Sequence, residues 1–446
     1  MSLLVAAMLM TACNSGQGFG FGDGDDGQDG YLTIYVYTPG NPIPTRSDER
    51  YQTATEDEKK IHTLQLWVFK HTADANDGEL VGYMDDVDVD LTAGKTYQVV
   101  VSRDFSDHPT SVDVYAVANV ATANAGQTFT RQTTRAQLDA ATLSGDCFGV
   151  ASDKLVQSVP ADGLPMTGVL KDQGVVGTFP ALRIVDKSDA TQKMAEVNLV
   201  RSISKLRFVI CRSDGANDNE KLDEITGITL DANMIPQQTY LMLNEPYDRS
   251  LKPTNPLADS RIRIVPDAYE SAVSFGSVKS VDTDGTTVII PVRADDPATT
   301  TYKESAKDWL FDALNPDGTA RFANDSAPNT PVWEVYSQAI EQGIANYRTP
   351  TTANANERLY EYGLTYLRES DKKITGTITY KTKDWPSDAE RTATFEMDVA
   401  GDFSRNHTWT VMLLFEGGKL RTINVVDVGV RSWHTASESD HDVYNW

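Results

Sequence analysis

The feature that most narrows the folding options of this chain is an apolar/polar alternation of period two. It recurs from residue 31 to residue 430 and is broken each time by Gly, Asp, Asn or Pro. A period of two is the signature of strands with one face in a core. Leu32, Ile34 and Val36 share a face of the stretch 31–38, and Leu64 to Phe69 reads as a second strand. Val87 to Leu91, Tyr97 to Ser102 and Val112 to Val120 follow. In the later half come Val197 to Ile210, Ile225 to Leu230, Thr286 to Val292, Ile374 to Tyr380, Thr392 to Val399, Thr408 to Phe415 and Arg421 to Val430. Helical spacing is confined to Arg131 to Leu143 and to a run after Thr330-Pro331 carrying Trp333, Tyr336, Ile340, Ile344 and Tyr347. Two helices cannot supply the crossovers of a parallel sheet. The expectation is an all-β chain of antiparallel sandwiches with a few short helices, and its 446 residues call for more than one domain.

Charge and side-chain chemistry remove several function classes. The net charge of −24, with no local basic patch, repels phosphate backbones, so no nucleic-acid partner is expected. Three cysteines in 446 residues cannot be a disulfide framework, and no Cys/His spacing suits zinc. Cys147 and Cys211 stay open as a pair or as separate buried thiols. The acidic run Asp85, Asp86, Asp88, Asp90 sets alternate carboxylates about 7 Å apart along a strand, which suits a solvated outer face better than a single ion. No metal or cofactor is expected.

The catalytic motifs on offer fail on geometry. Ser202 and Lys205 have the SxxK spacing, but in an alternating strand i and i+3 point to opposite faces. Leu164 to Gly168 spells the sortase pattern LPxTG in mid-chain, where a sorting signal does not work. No GxSxG, phosphate loop or dinucleotide-binding glycine run occurs. The chain is not read as an enzyme.

The N-terminus reads as a targeting segment. Leu3 to Met10 is an eight-residue apolar run, shorter than the about 20 residues a span needs and of signal-peptide length. Thr11-Ala12-Cys13 then resembles a bacterial lipobox, which makes residues 1–12 a signal peptide and Cys13 the lipidated residue. A Gly/Asp-rich tether follows, with Asp23, Asp25 and Asp26.

Four segments, in order, resemble the fimbrillin family of the Bacteroidales, the subunits of type V pili. They are the lipobox at Cys13; Thr45-Arg46-Ser47 followed by an acidic stretch and Ile61 to Phe69; Leu164 to Gly168, similar to the family's PM-small-G signature; and Val197 to Phe208, similar to its V-x-R-x-x-(A/S)-K strand. The acidic tether is also similar to surface-export signals of Bacteroidetes lipoproteins. The resemblance implies two tandem transthyretin-like antiparallel β-sandwiches, residues 47–191 and 192–446, after a tether and pro-strand over 13–46. It implies a precursor held to the outer membrane by lipid on Cys13. An arginine-specific protease then cuts between Arg46 and Ser47, with Arg50 a rival site. The strand bearing Leu32, Ile34 and Val36 leaves, and a strand from another subunit takes its place in an extracellular fimbrium serving adhesion and biofilm formation. The candidate donor region includes Val425, Val428, Val430, Val443 and Trp446. The alternatives are a monomeric surface lipoprotein binding glycan or host protein, and a fimbrial tip or anchor subunit. Residues 231–360 resemble nothing in the family.

Overall fold

The structure, a computed structural model, describes residues 30–37, 55–73, 78–91, 95–120, 128–144, 158–213, 221–243, 262–266, 268–275, 277–279, 343–345, 347–349, 359–383, 390–396, 403–416 and 419–429. In chain order these form β1 (Gly30–Tyr37), α1 (Glu56–Lys59), β2 (Ile61–Lys70), β3 (Leu80–Leu91), β4 (Lys95–Val101), α2 (Arg103–Asp107), β5 (Val112–Ala118), α3 (Arg135–Ala140), β6 (Thr142–Ser144), β7 (Met166–Thr178), β8 (Ala181–Val185), β9 (Glu196–Asn198), β10 (Val200–Arg201) and β11 (Ser204–Ser213). The remainder are β12 (Lys221–Leu230), β13 (Gln238–Tyr240), β14 (Val273–Ser274), β15 (Val278–Lys279), β16 (Tyr360–Leu367), β17 (Thr375–Lys383), β18 (Glu390–Glu396), β19 (His407–Glu416) and β20 (Lys419–Gly429). The chain is mostly sheet with short helices, as the periodicity predicts. The alternations at Thr286 to Val292 and after Thr330 fall wholly or largely outside the described residues.

The first sheet departs from the expected antiparallel sandwich. Its hydrogen-bonded path runs β7-β5-β2-β3-β4-β1-β8, and β8 pairs β7 again, closing a ring of seven strands. Two contacts in it are parallel, β1 with β8 and β1 with β9. Strand β1 lies between β4, to which it is antiparallel, and β8 and β9, which follow much later in the chain and run parallel to it. The ring encloses one apolar cluster, including Leu32, Leu66, Val99, Val114, Leu182 and Val197. Closure removes the sheet edges that an open sandwich would expose.

The stretch Val197 to Ile210, read as one strand, is three. Strands β9 and β10 lie in the first sheet, and β11 opens the second part. There a four-stranded sheet, β16-β11-β19-β20, and a five-stranded sheet, β14-β12-β17-β18 with β15 beside β12, share a second cluster. Phe208, Ile228, Ile378, Phe395 and Val411 belong to it. The pair β11 with β19 is parallel, a further departure from the antiparallel expectation.

Residues 231–243 lie across the two parts. Strand β13 pairs β6, and Leu241, Met242 and Leu243 enter the first cluster. Arg405 fixes this crossing. It is fully buried, ion-paired with the buried Glu369, and donates to the carbonyls of Leu241 at 2.8 Å and Tyr240 at 2.7 Å.

The structure gives a reason for the glycine of the PM-small-G signature. A Cβ on Gly168 would lie 2.6 Å from the Asn198 carbonyl oxygen and 2.8 Å from Val197 Cγ1, because β9 crosses β7 there. The blocking atom at 2.6 Å is backbone and cannot rotate away. Gly168→Ala should therefore destabilise the chain by about 1–3 kcal/mol, the range for overpacking. Chemical denaturation reads this directly, and an unchanged midpoint would show that β9 has room to move.

Candidate functional site

The candidate site is the slot occupied by β1. Leu32, Ile34 and Val36 are each 0% exposed, whereas Tyr31 on the opposite face is 42% exposed. Alternation thus places three branched side chains in the cluster, beside Tyr97, Val99 and Val101 of β4 and Leu182 of β8. Burying each stabilises by about 1.5–3 kcal/mol. The start of the strand is also fixed: a Cβ on Gly30 would meet Ser106 Oγ of α2 at 2.0 Å, so only glycine fits there.

Strand β1 is the main support of its neighbour. It pairs antiparallel with β4 over seven positions, from Gly30 with Val101 to Val36 with Lys95. On its other side Tyr31 to Thr33 pair with β8, and Tyr35 to Tyr37 with β9. By contrast β4 meets β3 at one register pair, Gly82 with Val101. Taking β1 away therefore opens the ring, uncovers the cluster and leaves nearly all of β4 without a ladder. Unpaired backbone groups beside apolar surface form a strong template for an incoming strand.

The sequence-derived site residues fall on both sides of what is described. Leu32, Ile34 and Val36 line the slot. Cys13, Arg46 and Ser47 lie outside the described residues, as do Val430, Val443 and Trp446. Val425 and Val428 lie on β20, in register with Val411 and Thr408 of β19. Cys147 lies outside the described residues, and Cys211 is on β11. Ser202 and Lys205 turn to different partners: Ser202 Oγ donates to the Leu241 carbonyl at 3.1 Å, and Lys205 Nζ to Glu58 Oε1 at 2.9 Å. The SxxK spacing carries no catalytic pair here. Among the described residues no group of three or more His, Cys, Asp or Glu is placed to hold a metal ion.

Downstream of the slot lies a buried polar cluster that sequence reading missed. Helix α1 has a capping box: Glu58 N donates to Thr55 Oγ1 at 3.3 Å, and Thr55 N to Glu58 Oε2 at 2.8 Å. The other carboxylate oxygen of Glu58 accepts from Lys205 Nζ at 2.9 Å and from the Tyr366 hydroxyl at 2.6 Å. Arg201 holds the Glu58 carbonyl through Nε at 3.2 Å and Nη2 at 2.9 Å, and reaches Asn406 Oδ1 at 3.1 Å. Burial by itself pushes the Glu58 carboxyl up. The charges of Lys205 and Arg201, with hydrogen bonds from Tyr366 and Lys205, outweigh that and hold it down at about 2. The Tyr366 hydroxyl moves the other way, raised by burial first and then by the Glu58 carboxylate. The arginine and lysine of the V-x-R-x-x-(A/S)-K strand thus both grip α1. Glu58 is one of 64 acids in the chain, and only its surroundings distinguish it.

Residues 31–204 match the model of the family described as "Major fimbrial subunit protein (FimA)". A search of curated proteins returned no match. Among solved structures, the chain is similar to a protein of Parabacteroides distasonis described as a candidate cell adhesion protein, with 13% identity and a TM-score of 0.46, covering 91% of this chain and 99% of that one. It is similar to a fimbrial assembly protein of the same species at 11% identity and TM-score 0.38, covering 87% and 91%. It is also similar to the fimbrial anchor protein Mfa2 of Porphyromonas gingivalis at 9% identity and TM-score 0.35, covering 90% and 100%.

Proposed function

We propose that this chain, whose residues 31–204 match the model of the major fimbrial subunit family, is a pilus subunit that polymerises by protease-triggered strand exchange at the β1 slot. The precursor is anchored in the outer membrane by lipid on Cys13. An arginine-specific protease cuts between Arg46 and Ser47, in the segment between β1 and α1. Residues 13–46, including β1, then leave, and the mature subunit keeps two parts whose boundary falls between β10 and β11 rather than at residue 192. A strand from a neighbouring copy enters the slot and restores the ladder with β4. Such a head-to-tail contact does not close on itself, so it propagates a surface fimbrium.

The observation that carries this reading is the double role of β1. It supplies three fully buried side chains and almost all of the backbone pairing of β4. A replacement must offer apolar residues at three alternate positions. Val426, Val428 and Val430 repeat the spacing of Leu32, Ile34 and Val36, within the candidate donor region that also holds Val425, Val443 and Trp446. Restored backbone bonds add about 1 kcal/mol each net.

Mass spectrometry of assembled material tests the reading. The expected result is a new N-terminus at Ser47 and no peptide covering 31–37. Polymer that keeps an intact, lipidated Cys13 would overturn the shaft role and leave an anchor role. A chain that stays monomeric after arginine-specific cleavage, with β1 still bound, would point to a surface lipoprotein binding glycan or host protein.

A further inference from the structure

Fraying from the new N-terminus needs a limit. If it ran on past α1 once β1 had left, it would reach β2, the central strand between β3 and β5 with Leu64, Leu66, Trp67 and Val68 fully buried. Residues 38–60, which include α1, separate the two strands.

We propose that the Glu58 cluster is a stop that fixes the downstream limit of the releasable N-terminal segment just before Thr55. The inference rests on the strand-exchange reading and adds to it the residues that set the boundary. Helix α1 is too short to be stable by itself. It is held from outside by groups far away in sequence: Arg201 of β10, Lys205 of β11 and Tyr366 of β16 all converge on Glu58. The three come from strands that do not pair with β1, so its removal leaves the grip intact. Asn119 adds a second tie immediately after α1. Its side chain donates to the Lys60 carbonyl at 2.9 Å and to the Leu164 carbonyl at 3.0 Å, and accepts from His62 N at 2.8 Å. The stop also selects among basic residues. Arg46 and Arg50 precede it, whereas Lys59 and Lys60 lie inside it, with Lys59 buried and Lys60 bonded to Asp57 at 2.8 Å.

Limited digestion of the full-length precursor with trypsin, which cuts after both arginine and lysine, tests the stop without requiring polymerisation. Intact-mass mapping and amide exchange over residues 55–61 are the readouts, with Glu58→Gln and Tyr366→Phe compared to wild type. Wild type should be cut no further than Arg50, and α1 should stay protected after the cut. Glu58→Gln, which weakens the charge-assisted bonds to a buried lysine, should add cuts after Lys59 or Lys60 and speed exchange by roughly 10-fold or more. Tyr366→Phe removes one hydrogen bond and should give a smaller shift in the same direction; it carries the test if Glu58→Gln fails to fold. Wild-type cleavage at Lys59 or Lys60, or identical maps and exchange in the folded variants, would overturn the stop. Filament formation is not part of this readout, so a failure to polymerise bears on the exchange reading alone.

Discussion

Arg46→Ala should leave the precursor folded and reduce filament formation to background. Position 46 lies in a polar stretch of the sequence between β1 and α1, and substitutions that touch no core side chain, cap or ion-pair network change stability by about 0.5 kcal/mol or less. What it removes, on the strand-exchange proposal, is the arginine at which the chain is cut. With the chain uncut, β1 stays covalently joined to β2 through the intervening residues and remains at an enormous local concentration beside its slot. A donor from a second molecule cannot displace it under those conditions. The check is electron microscopy and size-exclusion chromatography after arginine-specific proteolysis, alongside a thermal melt of the uncut protein. An unchanged melt with no filaments is the expected pair of results. Normal filaments from this variant would move the trigger to Arg50 or to another event.

The second large effect is a difference between two states of the same variant. Ile34→Ala should destabilise the precursor by about 2–5 kcal/mol, the cost of truncating a fully buried branched side chain. The loss should concentrate in faster amide exchange along β4, which among the described residues has one register pair on its other side. On the strand-exchange proposal, residue 34 is gone from the subunit once the chain is cut and assembled. Filaments built from Ile34→Ala precursor should therefore melt with wild-type filaments. Ile34→Asp sharpens the contrast, since an unpaired carboxylate in the cluster costs more than a cavity. A deficit that persists in assembled material would mean that β1 never left, and the slot would then be an ordinary part of a permanent core.

Some of this was readable from the residues because the physics is local. An extended backbone sends successive side chains to opposite faces, so Leu32, Ile34 and Val36 announce a strand with one buried face whatever lies beside it. The same rule dismissed the Ser202 and Lys205 pair. The family signatures were likewise short and contiguous, and residues 31–204 carry the match that followed from them.

Other features had no local cause. Nothing in residues 31–37 states that β8 and β9 will lie parallel beside them, because strand direction is settled by which chain segments arrive at each edge. Ring closure between β7 and β8 is likewise a property of the whole sheet. The second part repeats the point: a run that alternates from 197 to 210 divides between two sheets, at a break set by the burial of Arg201 and Ser202 against other elements.

What the sequence determined by itself is therefore the class of element, the face each strand buries and the likeness of residues 31–204 to the major fimbrial subunit model. What only the tertiary structure decided is the partner of each element: β4 leaning on β1, and Glu58 gripped by Lys205, Arg201 and Tyr366. The Glu58 contacts join groups 143 or more residues apart in one desolvated place, the β1–β4 pairs join positions 59 to 71 apart, and no short window of residues contains that information.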